Sequence, residues 1–278
     1  VEVISTNNLR FLFLKDFAIH PPAPQTPILH RLILETQGKP LWHFESFNKL
    51  LLGMRAALEG HKYLVSQGIL HRDISAGNIM LSLSDNPRPG MEGFLMDLEF
   101  ARVDTIAETY KMKAAPEKAG ATQTIFTDAK RGAEITGTLQ FMAAELLTAI
   151  KQGQWLKHEA HHDLESFIWV LTYVICRHLN ERSGITKEQR EGLKTHFTES
   201  FGRYSVQAIR VARLSLQPFE LPIYEGLMPI PIQTLLGNLR EAVRAHFVPP
   251  PMPGVITVVK PLTHDLVLNY FDAAYHAL

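Results

Sequence analysis

The stretch "ILHRDISAGNIML", Ile69 to Leu81, breaks an apolar run with a histidine, an arginine, an aspartate and, five residues after the aspartate, an asparagine. Buried strands tolerate such groups only when each has a partner or a task, because an unpaired buried charge costs on the order of several kcal/mol. Upstream, Phe47, Leu50, Leu51, Met54, Leu58, Leu64 and Val65 fall on one helical face. Gly68 then stands where a left-handed residue ends helices, so the spacing predicts a long helix that feeds the chain straight into the polar segment. Downstream, Ile79 to Leu81 and "GFLMD" at 93 to 97 read as short strands joined by "SDNPRPGMEG", which is dense in turn residues. A hairpin of this kind carries Asp97 back beside Asp73 and Asn78.

These three residues define a chemistry. Asp73 offers a carboxylate able to orient a hydroxyl nucleophile, while Asn78 and Asp97 offer a pair of hard oxygen ligands of the sort Mg²⁺ takes when substrate phosphates complete its shell. Phosphoryl transfer is the natural reaction for such a set, since it needs in-line positioning and charge neutralisation more than covalent help.

The rest of the chain sets limits. With 278 residues it is long enough for a substantial core, in one large domain or two modest ones. Lys plus Arg and Asp plus Glu both total 28, so no net field exists to hold a polyanion, and nucleic acid is not an implied partner. The single cysteine, Cys176, lies in the apolar run "FIWVLTYVIC", too short to span a bilayer, and reads as a buried, inert thiol. "VEVISTNNLR" lacks the basic start and apolar centre of a signal peptide, so no membrane partner and an intracellular setting, cytoplasmic or nuclear, are expected; the chain starts without Met, as a fragment or processed product does.

"LRFLFLKDFAI" (9–19) and "HRLILET" (30–36) read as extended, separated by the stiff "PPAPQTP". From Ala101 to about Gly137 little periodicity appears, which predicts a mobile surface loop whose Thr122, Thr124 and Thr127 read as ordinary loop threonines. "DLESFIWVLTYVICRHL" is apolar nearly all round and predicts a buried helix with Asp163 at its N-cap. Further helical patterns run near 187–201, 205–215, 232–247 and 263–277. The fold class is α+β, with a small strand-bearing front and a mainly helical body.

Four stretches in order carry a resemblance. "HRDISAGN" resembles the protein-kinase catalytic loop, "LMDLEFA" the metal-binding motif after it, "GTLQFMAAE" the end of an activation segment, and "HDLESFIWVL" the buried helix that anchors the catalytic loop. With "RLILETQGKPL", they make the chain similar to the fungal-type protein kinase family over roughly residues 28 to 180. The resemblance implies a kinase-like fold seen mainly as its helical C-lobe: residues 1–40 a remnant of the N-lobe and hinge, residues 41–278 the helical lobe. It implies an ATP- and Mg²⁺-dependent Ser/Thr kinase acting on a protein substrate. Asp73 is the implied base, with Arg72 beside it; Asn78 and Asp97 are metal ligands, and Glu35, Thr36 and Gly38 form the hinge that meets the nucleotide. Thr138 falls near the substrate-binding segment, and His71, Glu145 and Asp163 are supports.

Departures accompany these matches. Asp97 is followed by Leu and Glu where the usual motif has Phe and Gly, and Ser75 stands where many Ser/Thr kinases carry a phosphate-contacting Lys. No glycine precedes the hinge, and Lys15 is the only lysine there, so a truncated or missing phosphate-gripping lobe is expected. A kinase-like docking module is therefore the rival reading. A lesser one is a zinc hydrolase: His158, Glu159 and His162 in "HEAHH" satisfy H-E-x-x-H, a pattern that sets two histidines on one helical face, with Glu181 as a third ligand.

Overall fold

The computed structural model describes residues 4–5, 28–29, 37–103, 138–246 and 260–278. The chain divides into two compact units, Val1–Gln37 and Gly38–Leu278. In the first, β1 (Ile4–Ser5) and β2 (Ile28–Leu29) pair antiparallel. The extended stretches expected at 9–19 and 30–36, the intervening proline segment and the loop at 104–137 lie outside the described residues.

The second unit mixes helices with small sheets, and helices dominate. β3 (Gly38–Pro40), β5 (Ile79–Ser82) and β6 (Gly93–Leu95) form an antiparallel sheet in the order β3-β5-β6. The predicted hairpin is thus present, with Ile79 opposite Leu95. β4 (Ile69–Leu70) pairs with β7 (Arg102–Val103) in a separate two-stranded ladder. The helices are α1 (Phe47–Ser66), α2 (Ala144–Gln152), α3 (Ala160–Glu181), α4 (Lys187–Phe201), α5 (Val206–Leu214), α6 (Ile230–His246) and α7 (His264–Ala277).

α1 begins where Ser46 caps it, its side chain accepting from the Lys49 N–H at 3.3 Å, and its buried stripe of Leu50, Leu51, Met54, Ala57, Leu58 and His61 follows the helical period. Gly68, at φ +74°, supplies the left-handed turn into β4. On the opposite side α1 and β6 touch through glycines. A Cβ added at Gly93 would lie 2.4 Å from the Gly53 carbonyl oxygen, so the strand approaches the helix backbone directly.

α3 is the central post. Leu164, Phe167, Ile168, Trp169, Val170 and Leu171 are all essentially inaccessible to water, as the all-round apolar pattern predicts. The helix starts earlier than expected, however: Glu159 is its N-cap, in a capping box with His162, and Asp163 lies inside the first turn. Ser and Asp are the usual caps, but here the reciprocal Glu159–His162 pair meets the orphan N–H groups and leaves Asp163 for another task. Arg213 of α5 is buried between Trp169 and Phe201, its guanidinium carbon 4.9 and 5.1 Å from the two rings. It donates to the carbonyls of Ser200 (3.1 Å) and Gln140. α7 closes the unit over α1 through Arg55–Asp272 (2.5 Å) and Lys62–Asp265 (2.7 Å). No helix among the described residues is long and apolar enough to cross a membrane.

Candidate active site

The loop from His71 to Asn78 leaves β4 and returns as β5, and its shape is held by hydrogen bonds at both ends. Arg72 adopts φ +69°, rare for a residue with a side chain, and its N–H donates to Asp163 Oδ2 at 3.0 Å. Nδ1 of His71 accepts from the Asp73 N–H at 3.3 Å. In a neutral ring Nε2 must then carry the proton, which it donates to the Met96 carbonyl at 3.1 Å. Burial lowers the His71 pKa below its ordinary value and favours that neutral form. The Met96 N–H in turn donates to the Asn78 carbonyl at 3.0 Å. The end of β6 is thereby stitched to the loop twice, and the next residue, Asp97, follows at φ +65°.

Asp73 is half-buried, and its carboxylate is oriented from two directions. Oδ1 accepts from both the N–H (2.8 Å) and the hydroxyl (2.9 Å) of Thr138. Oδ2 accepts from Asn78 Nδ2 at 3.2 Å, and the same amide donates to the Asp73 carbonyl at 2.9 Å. Asp73 is therefore bonded directly both to Asn78 and to Thr138, the latter 65 residues away. Asp97 sits beside them through the backbone, while its exposed side chain makes a long contact to the Glu99 N–H at 3.4 Å. Gly38 opens β3 opposite Ser82, where a Cβ would stand 2.7 Å from Met80 Cβ and 2.8 Å from the Phe94 ring. Glu35 and Thr36 lie outside the described residues. A cleft of about 310 Å³ lined by Lys39, Lys49, Leu81, Asp85 and Glu92 contains none of the loop carboxylates, so cavity volume alone does not point to this site.

Beneath the loop, Asp163 collects three donors: the Arg72 N–H, His61 Nε2 (3.0 Å) and His158 Nε2 (2.8 Å). Burial alone pushes its carboxyl up, but the hydrogen bonds from His158 and His61 outweigh that and hold it well below the usual carboxylate range. His61 Nδ1 meets His264 Nε2 of α7 at 2.8 Å. Sequence reading left His61 unremarked, although its place on the buried stripe of α1, three residues past Leu58, was the available signal for a polar group with a fixed partner.

A second buried carboxyl lies two residues on. Glu165 Oε1 accepts from the Ala144 N–H (2.9 Å) and Trp169 Nε1 (3.1 Å), tying the start of α2 to α3. Burial raises its pKa to about 7. Cys176 is buried as expected, and desolvation pushes its thiol up to about 12, far from a reactive thiolate.

The H-E-x-x-H reading fails on geometry. His158 precedes α3 and bonds Asp163; Glu159 is the cap; His162 Nδ1 accepts the Glu159 N–H at 2.9 Å. The two histidines do not share a helical face, and Glu181 ends the same helix, about 28 Å from His162 at 1.5 Å per residue.

A search of curated proteins finds no match. A family model described as fungal protein kinase matches residues 7–176, a span that takes in the 71–78 loop, Asp97, Thr138 and most of α3. That match covers well over half of the 278 residues and includes every group that orients Asp73, and on it the chain belongs to the fungal protein kinase family.

Proposed function

We propose that the chain is an ATP-dependent protein kinase that transfers a phosphoryl group to Ser or Thr hydroxyls, with Asp73 as the residue that orients the nucleophile. The observation that carries this reading is the carboxylate of Asp73, fixed through Oδ1 by Thr138 and through Oδ2 by Asn78. A carboxylate oxygen has room for a further donor after accepting one or two hydrogen bonds, so a substrate hydroxyl can donate to Oδ2 and pass its proton there as its oxygen bonds phosphorus. Thr138 belongs to the segment that would lie beside the substrate and holds Asp73 in register with it.

The donor set fits Mg²⁺. Asn78 spends its amide nitrogen on Asp73 and so presents Oδ1, and Asp97 adds a charged, exposed carboxylate on the adjoining backbone; both are the hard oxygens magnesium prefers. Bound there with ATP, the ion would neutralise charge on the phosphates. The bidding of Asp163, His61 and His158 is positional: they hold the Arg72 N–H and keep the strained backbone before Asp73 from relaxing.

The test measures γ-phosphate transfer from Mg²⁺-ATP to mixed Ser/Thr peptides, alongside the shift in melting temperature that Mg²⁺-ATP produces. Asp73→Asn should remove about a hundredfold or more of the transfer with the fold intact, and Asp97→Ala should abolish the nucleotide-induced shift. Equal turnover by Asp73→Asn would refute its role. Absence of both transfer and shift at millimolar nucleotide would favour a docking module.

A further inference from the structure

Histidines outside the loop network gather at a second place. Glu145 in the first turn of α2, His161 in the first turn of α3 and His246 at the end of α6 bring one ligand atom each within 4.8 Å of one another. We propose that Glu145, His161 and His246 form a binding site for a single Zn²⁺ ion, which would clasp the start of α2 and α3 to the end of α6.

Several features fit that ion. Two imidazoles and one carboxylate are a ligand set zinc takes with a water in the fourth position. Zinc–nitrogen and zinc–oxygen bonds of about 2.0–2.2 Å in a tetrahedron place neighbouring donors roughly 3.4 Å apart. His161 Nε2 and Glu145 Oε2 are separated by 3.4 Å, and a ring nitrogen of His246 completes a set of ligand atoms lying within 4.8 Å of one another. Three imidazole rings crowd this spot, with His161 centred 3.9 Å from His162 and 4.6 Å from His246. Nδ1 of His246 is buried and meets no hydrogen-bond partner of good geometry among the described residues, although the Lys260 backbone lies close enough to interact with the ring. A polar nitrogen left so is costly unless an ion or water meets it.

The neighbouring groups support the same assignment. His162 is no ligand: its Nδ1 accepts the Glu159 N–H, so its Nε2–H donates to Glu145 Oε2 at 3.1 Å and fixes that carboxylate, as outer hydrogen bonds fix metal ligands. Glu145 and His161 remain partly exposed, at 48% and 22% of their side chains, so an ion and its water can enter.

The consequence concerns the segment after Thr138. Glu145 follows the Leu139–Phe141 turn closely, so an ion bound to it would pin the chain that delivers Thr138 to Asp73.

The experiment titrates Zn²⁺ into the chelator-stripped full chain by calorimetry and follows Co²⁺ substitution by the visible absorption of a tetrahedral site. One equivalent should bind. His161→Gln and His246→Gln should each weaken binding by about tenfold or more, while His276→Gln, at the exposed end of α7, should leave it unchanged. Circular dichroism and melting in chelator establish that each variant folds, and the two ligand variants alter different helices. No binding by the parent overturns the proposal, as does binding that survives both substitutions.

Discussion

Replacing Glu165 with Gln isolates one buried proton. Glu165 is fully enclosed, its Oε1 accepts two N–H groups, and its neighbours in charge are Arg213, which lowers its pKa, and Glu145, which raises it. Desolvation is the largest influence and lifts the carboxyl from an ordinary 4.5 to about 7. Between those two values the folded protein holds a proton that the unfolded chain has released. Stability from this group is therefore full below pH 4.5 and is lost as pH rises through 7. Each pKa unit is about 1.4 kcal/mol, so moving from pH 5 to pH 8 removes about 2 to 3 kcal/mol. Gln keeps the accepting oxygen and cannot ionise, so it mimics the protonated acid. Urea unfolding of both proteins at pH 5, 6, 7 and 8 measures the difference. Glu165→Gln should match the parent at pH 5 and exceed it at pH 8 by about that margin. A constant difference across the range would show that Glu165 is ionised in the fold, and the reasoning from its burial would be wrong.

Gly93→Ala should cost about 1–3 kcal/mol, because its Cβ meets the Gly53 carbonyl at 2.4 Å and backbone must move, whereas Gly53→Ala should cost less because the nearest atom, 2.2 Å away, is the end of the Leu81 side chain; urea midpoints rank the two. Asp163→Ala strands three donors around one buried position and should lower stability by about 3–5 kcal/mol in the same assay, with Asp163→Asn losing less because one accepting oxygen remains. Burial holds the His264 pKa down to about 4, so the unfolded state takes up the proton first and stability falls as pH drops below 6.5 towards 4. His264→Gln should flatten that acid limb in melting scans between pH 4 and 7, and an unchanged slope would exclude His264 as its source.

Helical period made most of the body legible. α1 and α4 through α7 fall within a residue or two of the ranges read from apolar spacing, since each lays an apolar stripe on the core. α2 escaped notice because nine residues give only two and a half turns of period, and its start is fixed by Glu165 from a distant helix rather than by a local cap. β3 escaped for a related reason: Gly-Lys-Pro has no strand propensity, and its pairing to β5 is a long-range fact. In the candidate site, the spacing of Asp73 and Asn78 and the hairpin that returns Asp97 were readable. The grip of Thr138 on Asp73 and the convergence of His61 and Arg72 on Asp163 were not, because they join residues 65 to 102 positions apart.

The hydrogen bonds of these histidines show how far the site extends. His61 donates through Nε2 to the Asp163 carboxylate, and its Nδ1 faces His264 Nε2 at 2.8 Å. A line of hydrogen bonds runs from α7 through α1 to Asp163 and on to the N–H of Arg72, one residue before Asp73. His264 lies beyond residue 176, where the family match ends, so sequence similarity stops short of a residue that orients the loop's own support. Imidazole suits this position better than lysine or arginine would, because its two ring nitrogens bond on opposite sides and one ring joins one helix to the next. Three N–H groups meet the Asp163 carboxylate beneath the loop, and the strained φ of Arg72 is the geometry that aims its N–H at that carboxylate.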